Sequence, residues 1–196
     1  MKKMLLVSVL LAILFGLQGC WYSKMTHFDE DDLKWVEWAN VGDSLLFRSD
    51  SGIIDTWIIS EVHVYDIHNP IVFFNVDPGV FEANAAYYME NSKDKMLSGA
   101  LFICKKEKED SLYICAYLQG RFLKKSYDYI PPVFVKFKIN NKEFSDCMVF
   151  DDTNTRYSPH WPQSGINKME SFIISREYGL LWYRFEDGQE YWRINI

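Results

Sequence analysis

The sequence predicts an all-β protein with a single antiparallel β-rich domain, either a sandwich or an open, barrel-like curved sheet. Aromatic residues make up 17% of the 196 residues, and aromatic and β-branched residues favour strands. Short apolar runs recur along the chain between turn residues, which is the pattern of an antiparallel sandwich or barrel. The length suits one domain, and the sequence contains neither an internal repeat nor a second domain boundary.

The first predicted strands form a hairpin. Ser44 to Arg48 and Ile53 to Tyr65 are rich in apolar and β-branched residues, and the turn residues Ser49-Asp50-Ser51-Gly52 separate them. The preceding run, Leu33 to Ala39, fits either a helical turn or a short strand, because periodicity does not distinguish the two over so few residues.

Four further strands are predicted before residue 119. Ile71 to Val76 is a compact apolar strand that ends at a proline-containing turn. Phe81 to Glu90 is assigned to a strand because its neighbours are strands, although its alanines also allow a helix. Leu97 to Lys105 and Leu112 to Leu118 form a hairpin around a charged segment.

That hairpin carries Cys104 and Cys115. A turn centred on Glu109-Asp110 would place the two cysteines directly opposite each other, with Cα atoms about 4.5–5.5 Å apart, which a disulfide can bridge. A cross-strand disulfide is therefore one interpretation. Two buried free thiols, packed like small apolar side chains, are the other.

The clearest alternation in the chain follows Pro131-Pro132. Val133, Val135, Phe137 and Ile139 share one face, which predicts a strand that covers a core on one side only. Asn140-Asn141 suits a tight hairpin turn, since asparagine tolerates positive φ. The remaining strands and turns follow the same logic and are predicted at Phe144–Phe150, Ser171–Ser175, Leu180–Phe185 and Glu190–Ile194, with turns at Gly179 and Asp187-Gly188.

The N-terminus has the pattern of a cleaved export signal. Lys2 and Lys3 precede an apolar run from Leu5 to Leu17, which is shorter than the roughly 20 residues that span a bilayer. Leu17-Gln18-Gly19-Cys20 resembles the lipobox of bacterial lipoproteins. The resemblance implies that Cys20 is the first mature residue and carries a diacylglycerol and an N-acyl chain.

These features divide the chain into a lipoprotein signal peptide (1–19), a lipidated tether (20–32) and the β-rich domain (33–196). The formal net charge is −6, so the protein gains nothing from counterion release at phosphates, which excludes nucleic acid as the expected partner. An acidic domain is not drawn to an anionic membrane either. The expected membrane contact is therefore made through the acyl chains on Cys20.

Two stretches of the domain carry a further resemblance. Gly42 to Phe47 with Asp55-Thr56-Trp57, and Ser171 to Phe185 with Asp187-Gly188 and Trp192, are similar to patterns in small uncharacterised lipoproteins of Bacteroides-type bacteria. The shared motifs are turns and core aromatics, so the resemblance implies a lipoprotein and no catalytic residue.

The acidic run Asp29 to Asp32 bears on location. Acidic residues close behind the lipidated cysteine can serve as a surface-export signal in Bacteroides-type bacteria. Here they begin nine residues after Cys20, behind Lys24 and His27. We therefore expect an outer-membrane lipoprotein that faces the periplasm rather than the cell surface.

No catalytic, metal or cofactor site is predicted. The four histidines, His27, His63, His68 and His160, are too dispersed for the convergent ligands of a zinc site. The sequence has no Gly-x-Ser-x-Gly motif and no glycine-rich phosphate loop.

The connection from Asp151 to Lys168 is predicted to lack regular structure, and such long connections are often functional. It carries the candidate binding residues Arg156, Tyr157, His160 and Trp161, whose rings can stack on a sugar or grip a peptide. The alternative is a packed loop in which Trp161 covers an edge or end of the sheet.

Together these features favour a non-catalytic binding or interaction module that recognises an envelope protein or ligand. Two alternatives remain open. A carrier of lipids or other hydrophobic ligands in the periplasm would need an apolar cavity within the curved sheet. A glycan-acting hydrolase would need two carboxyl groups facing one cleft beside Trp161.

Overall fold

The computed structural model describes residues 25–66, 82–94, 97–106, 111–123, 130–158 and 167–196. Within these residues the chain forms one short helix and twelve strands. They are α1 (Glu30–Leu33), β1 (Ser44–Ser49), β2 (Ile54–Tyr65), β3 (Asn84–Asn91), β4 (Ser98–Lys105), β5 (Leu112–Leu118), β6 (Arg121–Leu123), β7 (Val135–Ile139), β8 (Lys142–Phe150), β9 (Thr155–Tyr157), β10 (Met169–Ser175), β11 (Gly179–Phe185) and β12 (Glu190–Arg193).

All twelve strands belong to one sheet, in the order β7-β8-β10-β11-β12-β1-β2-β3-β4-β5-β6-β9. Every pair of neighbouring strands is antiparallel. The sheet curls into a half-barrel, and β7 and β9 are its edge strands. The predicted all-β, single-domain architecture is confirmed, and the structure takes the form of the open curved sheet.

Two of the predicted hairpin turns lie where expected. Asn140 and Asn141 have φ angles of 46° and 68°, as a two-residue turn of matching twist requires, and Ile139 pairs with Lys142 across them. Gly188, with φ of 86°, stands in the turn between β11 and β12.

Two ambiguous segments are settled by the structure. Residues 33–39 belong to the end of α1 and the turns after it, so the helical alternative applies there. Within the alanine-containing segment predicted as a strand, the described residues from Asn84 onward form strand β3. The strand predicted at 71–76 lies outside the described residues.

The concave face of the sheet holds the main core. Alternate residues along the strands point to this face and are buried, as in β1, where Leu45 and Phe47 are at most 1% exposed. Burial of such a side chain contributes about 1.5–3 kcal/mol. The largest fully buried apolar and aromatic side chains are Trp35, Trp57, Tyr87, Tyr183, Phe47, Phe150 and Phe172.

Irregularities in the pairing accompany the curl of the sheet. The register shifts between Ile59 and Glu61 in β2 and twice in β10, between Met169 and Ser171 and between Ile173 and Ile174. A bulge adds a residue on one strand, which bends that strand and increases its local twist.

A second, smaller core lies on the outer face, under the β7–β8 hairpin. Phe137 of β7 stacks on Trp192 of β12, with ring centroids 5.9 Å apart and planes 2° apart. In a flat sheet these strands, four places apart, would be separated by about 19 Å. The hairpin therefore folds back over the outer face of β10, β11 and β12.

The predicted one-sided burial of β7 is only partly correct. Ile139 is 3% exposed, whereas Val135 is 37% exposed and Val133, which precedes the strand, is 68% exposed. Alternation identified the apolar face of this strand. Alternation could not indicate that only the second half of this edge strand packs against other residues.

The segment before β1 closes one end of the curled sheet. Asp29 and Asp32 form a capping box around the first turn of α1: the Asp32 backbone N–H donates to Asp29 Oδ1 over 2.9 Å, and the Asp29 N–H donates to Asp32 Oδ2 over 3.0 Å. Phe28 and Trp35 are 9% and 1% exposed and join the main core. The packed part of the domain therefore begins before residue 33 and includes residues of the stretch that was predicted to be a tether.

Side chains connect the two ends of the sheet. Arg121 of β6 is 1% exposed; its Nε donates to Thr155 Oγ1 over 2.6 Å, and its Nη1 donates to the Met169 carbonyl of β10 over 2.9 Å. The same guanidinium forms an ion pair with Asp152. Strands β6 and β10 lie in opposite halves of the strand order and share no backbone hydrogen bonds. The Arg121 side chain therefore connects two parts of the curled sheet that strand pairing does not connect.

Candidate functional site

Of the four predicted binding residues, the structure describes two, and their side chains do not converge. Arg156 and Tyr157 lie on strand β9, so the connection after Asp151 is not structureless throughout. Because successive strand residues point to opposite faces, the two side chains diverge. His160 and Trp161 lie outside the described residues.

Tyr157 faces inward, beside the bonds that connect the sheet ends. Its hydroxyl donates to the Met169 carbonyl, and the Arg121 guanidinium lies 5.4 Å from the centre of its ring. Burial is the main cause that raises the pKa of Tyr157 to about 12. A neutral, hydrogen-bonded tyrosine at this position supports the fold rather than a ligand.

Arg156 faces outward and leads to an extended surface. Its guanidinium lies 5.5 Å from the ring centre of Phe122. From there a row of aromatic side chains crosses the outer face of neighbouring strands. We call this surface the aromatic strip; its members are His63, Tyr88, Phe102, Tyr117, Phe122 and Arg156.

The rings of the aromatic strip contact one another across the strands. His63 and Tyr88 meet edge to face, with centroids 6.0 Å apart, and Tyr88 and Phe102 do so at 5.4 Å. Phe102 and Tyr117 are stacked with centroids 6.3 Å apart. Such cross-strand pairs stabilise a sheet and also create a continuous aromatic surface.

Small residues lie between these rings. Ala86 pairs directly with Phe102, and Ala100 pairs with Tyr88 on one side and with Tyr117 on the other. Because Tyr88, Phe102 and Tyr117 each pair with an alanine, their rings project above the sheet. This arrangement leaves two grooves: one of about 290 Å³ beside Ala86 and Phe102, and one of about 370 Å³ between Tyr117, Phe122 and Ser158.

Polar side chains border the first groove. His63 Nε2 lies 2.6 Å from Glu61 Oε1, and Glu82 and Asn84 line the same groove. In the second groove, burial raises the pKa of the Tyr117 hydroxyl, so this group keeps its proton and can donate a hydrogen bond. The strip thus combines aromatic faces with hydrogen-bonding groups at its border, the composition of many ligand sites.

The two cysteines of the β4–β5 hairpin do not oppose each other. Cys104 pairs with Tyr113 and Cys115 pairs with Phe102, so the cysteines are diagonal neighbours, whose Cα atoms are about 7–8 Å apart. The structure holds both as free thiols. The directly opposed register that the disulfide prediction required is wrong, because the strands pair two residues out of that register.

A third groove, of about 410 Å³, lies on the other half of the outer face. Its lining includes Trp182, Asp152 and Glu170. Glu170 pairs with Arg184 over 2.5 Å and Asp152 pairs with Arg121. Each carboxylate thus has an arginine as its ion-pair partner, and the Asp152 side chain is 86% exposed.

The described residues were also searched for metal-binding groups and for membrane-spanning helices. Among them, no group of three or more histidine, cysteine or acidic side chains is placed to hold a metal ion. No helix in the described part of the chain is long and apolar enough to cross a membrane. Residues 1–19 and the predicted lipid site Cys20 lie outside it.

The aromatic strip was missed by the sequence analysis because its members are spread over six strands. The available signal was the alternation of large rings with small residues, as in Ala86-Tyr87-Tyr88 and Ala100-Leu101-Phe102. That alternation identifies the outward rings. The order of the strands in the sheet is also needed to bring them together.

Comparison with protein-family models, with curated proteins and with solved structures found no significant match.

Proposed function

We propose that this protein is a lipid-anchored, non-catalytic binding module of the bacterial cell envelope and that its aromatic strip binds a linear glycan. The observation that carries the proposal is the row of projecting rings, with grooves between them, on the half of the outer face that the β7–β8 hairpin does not cover. The proposed location is the outer membrane, facing the periplasm.

The chemistry of the strip favours a glycan. A sugar ring presents C–H groups on its faces, which pack on aromatic rings, and hydroxyl groups at its edge, which need hydrogen-bond partners. The grooves offer both, with Phe102 and Tyr117 as aromatic platforms and with Glu82, Asn84 and Ser158 beside them. A row of rings across several strands suits an extended chain of sugars.

The alternatives receive less support. A carrier of hydrophobic ligands needs an apolar lumen, whereas the concave side of the described part is filled by buried side chains such as Trp57 and Tyr87. A hydrolase needs two carboxyl groups free to exchange protons. The carboxylates of the third groove, Asp152 and Glu170, are held in ion pairs with arginine.

The lipid anchor rests on the export-signal pattern and on Cys20. Metabolic labelling with a fatty-acid probe, followed by membrane fractionation, tests it directly. Wild-type protein is expected to be labelled and retained in the membrane, and Cys20→Ala is expected to lose both properties. Unlabelled wild-type protein, or a labelled variant, would refute the anchor.

Glycan binding is tested with the full chain in detergent micelles, using insoluble peptidoglycan and soluble linear envelope polysaccharides as probes. The double variant Tyr88→Ala/Phe102→Ala is expected to bind at least about tenfold more weakly, a loss of about 1.4 kcal/mol. Tyr178→Ala is the matched control, because Tyr178 makes a similar edge-to-face contact with Phe144, at 5.3 Å, under the hairpin.

A second variant separates binding from stability. Ala86→Leu keeps every ring and fills the groove beside Phe102, so it is expected to weaken glycan binding with little change in unfolding midpoint. If the rings only stabilise the sheet, Ala86→Leu will leave binding unchanged. Failure of the wild-type protein to bind any of the glycan probes would reject the proposal.

A further inference from the structure

The N-terminal segment of the domain is fastened to one end of three adjacent strands. Thr26 Oγ1 donates to the carbonyl of Lys105, the last residue of β4, over 2.9 Å. It also accepts from the backbone N–H of Ala83, just before β3, over 2.8 Å. Thr26 itself is 8% exposed, so this attachment is shielded from water.

Further contacts secure the same attachment. His27 Nδ1 lies 2.7 Å from Asp66 Oδ1, and the backbone N–H of Phe28 donates to Asp66 Oδ2 over 3.2 Å. Asp66 directly follows β2. The ammonium group of Lys105 lies 2.7 Å from the Asp32 carboxylate, and both side chains are largely buried, at 8% and 11% exposure. We call this end of β2, β3 and β4 the anchored end.

The length of chain before this attachment limits how far the domain can move from its lipid. Cys20 precedes Met25, the first described residue, by five positions. At about 3.3–3.6 Å per extended residue, those positions span at most about 18 Å. Strand β2 has 12 residues and is about 40 Å long. The chain between Cys20 and Met25 is therefore too short for the far end of the sheet to lie beside the bilayer while residues 26–28 stay bound to the anchored end.

The anchored end also exposes apolar surface. Val64 and Tyr65, the last two residues of β2, are 54% and 44% exposed. Tyrosine is enriched at membrane–water interfaces, where its ring meets the apolar boundary and its hydroxyl stays hydrated. An exposed valine beside it adds apolar area at the same level.

We propose that the anchored end, with Val64 and Tyr65, lies against the surface of the lipid bilayer and sets the orientation of the domain. This inference rests on the proposed acylation of Cys20. It places the groove of Tyr117, Phe122 and Ser158, which lies at the opposite ends of β5 and β6, away from the membrane. The aromatic strip crosses the strands at two levels: Tyr88, Tyr117 and Phe122 lie two residues farther from the anchored end than His63 and Phe102. This far groove, at the outer level, is the part of the strip most accessible to glycans in the periplasm.

The experiment uses the lipidated full chain in vesicles of phosphatidylethanolamine and phosphatidylglycerol that carry a nitroxide-labelled lipid headgroup. A fluorescent NBD label is attached to Val64→Cys, at the anchored end, or to Asp50→Cys, in the exposed turn at the far end of β2. The parent chain, labelled in parallel, measures the background from its native thiols. We expect the nitroxide lipid to quench the label at position 64 several-fold more strongly than the label at position 50.

The outcomes distinguish the orientation from the anchor. Equal quenching at the two positions, or stronger quenching at position 50, in protein that is bound to the vesicles would overturn the orientation. If the wild-type chain, like the Cys20→Ala variant, fails to bind the vesicles, the lipid anchor itself is refuted and the inference falls with it. Stronger quenching at position 64 than at position 50, lost when Cys20 is replaced by alanine, supports both the lipid anchor and the proposed orientation.

Discussion

The hydroxyl of Tyr183 donates a hydrogen bond to the carboxylate of Asp55 across the concave side of the sheet. Tyr183 belongs to β11 and Asp55 to β2, three places apart in the strand order. The same carboxylate accepts from the Trp57 indole over 3.1 Å and from the Asn91 amide over 2.8 Å. This carboxylate, which is partly exposed, thus accepts three hydrogen bonds and connects β11 with β2 and β3 at the margin of the core.

Tyr183→Phe removes this bond without changing the shape of the ring. Hydrogen bonds to charged groups contribute about 1.5–3 kcal/mol, so we expect the free energy of unfolding to fall by about that amount, measured by urea denaturation. Asp55→Ala should be more destabilising, because it leaves the Tyr183, Trp57 and Asn91 donors without their acceptor. Equal stability of Tyr183→Phe and wild type would show that the bond contributes nothing.

Arg121 provides a second test of how the curled sheet is held. Replacing it with methionine keeps the length of the side chain but removes the donors to Thr155 and Met169. A loss of about 2–3 kcal/mol is expected, since buried groups that lose a partner cost about 1–3 kcal/mol each.

Asp152→Asn is the control for Arg121. The Asp152 side chain is 86% exposed, and exposed ion pairs contribute about 0–1 kcal/mol. The asparagine variant should therefore unfold close to the wild type. If it were as unstable as Arg121→Met, the ion pair rather than the buried hydrogen bonds would be responsible.

Much of the secondary structure was predictable from local pattern. Alternation and turn residues located most strands, and Asn140-Asn141 identified a hairpin turn that has the expected positive φ angles. These properties depend on neighbours in the chain. For the same reason the segment 33–39 stayed ambiguous, because seven residues support either period.

What was missed depends on the order and register of the strands. The aromatic strip forms only when β2 to β6 and β9 lie side by side, and β9 is a strand of three residues within a predicted loop. The β4–β5 hairpin differed from its predicted register by two residues, which moved Cys115 from opposite Cys104 to opposite Phe102. Burial of the charged Arg121 could not be inferred from its short strand.

Alkaline pH is expected to destabilise the protein. Burial raises the pKa of Cys104 and of Cys115 from 9.0 to about 11, and that of Cys147 from 9.0 to about 12. A group whose pKa is higher in the folded state holds its proton more tightly there. Its contribution is complete below the unfolded pKa and is lost as the pH rises towards the folded pKa. Stability should therefore fall above about pH 9.

Urea midpoints measured at about pH 8 and about pH 10.5 would show this fall. Cys147→Ala removes one of the titrating thiols and should reduce the difference between the two midpoints. Arg193 acts in the opposite direction, because burial lowers its pKa from 12.5 to about 10. Its contribution offsets part of the fall, but only in the upper part of the interval, at about pH 10 and above. A midpoint that is constant or rises between the two pH values would contradict the prediction.

Gly179 begins β11 against the indole ring of Trp38. Its φ angle is +71°, and a Cβ atom added here would overlap the six-membered ring of that indole. Gly179→Ala should therefore combine backbone strain of about 1–3 kcal/mol with overpacking of about 1–3 kcal/mol. Gly188→Ala is the matched control, since its φ is +86° and an added Cβ meets nothing within 4 Å. Denaturation of both variants isolates the Trp38 contact: equal losses would mean that Trp38 moves aside freely, and a larger loss at Gly179 would show that the N-terminal segment is rigidly packed on the sheet.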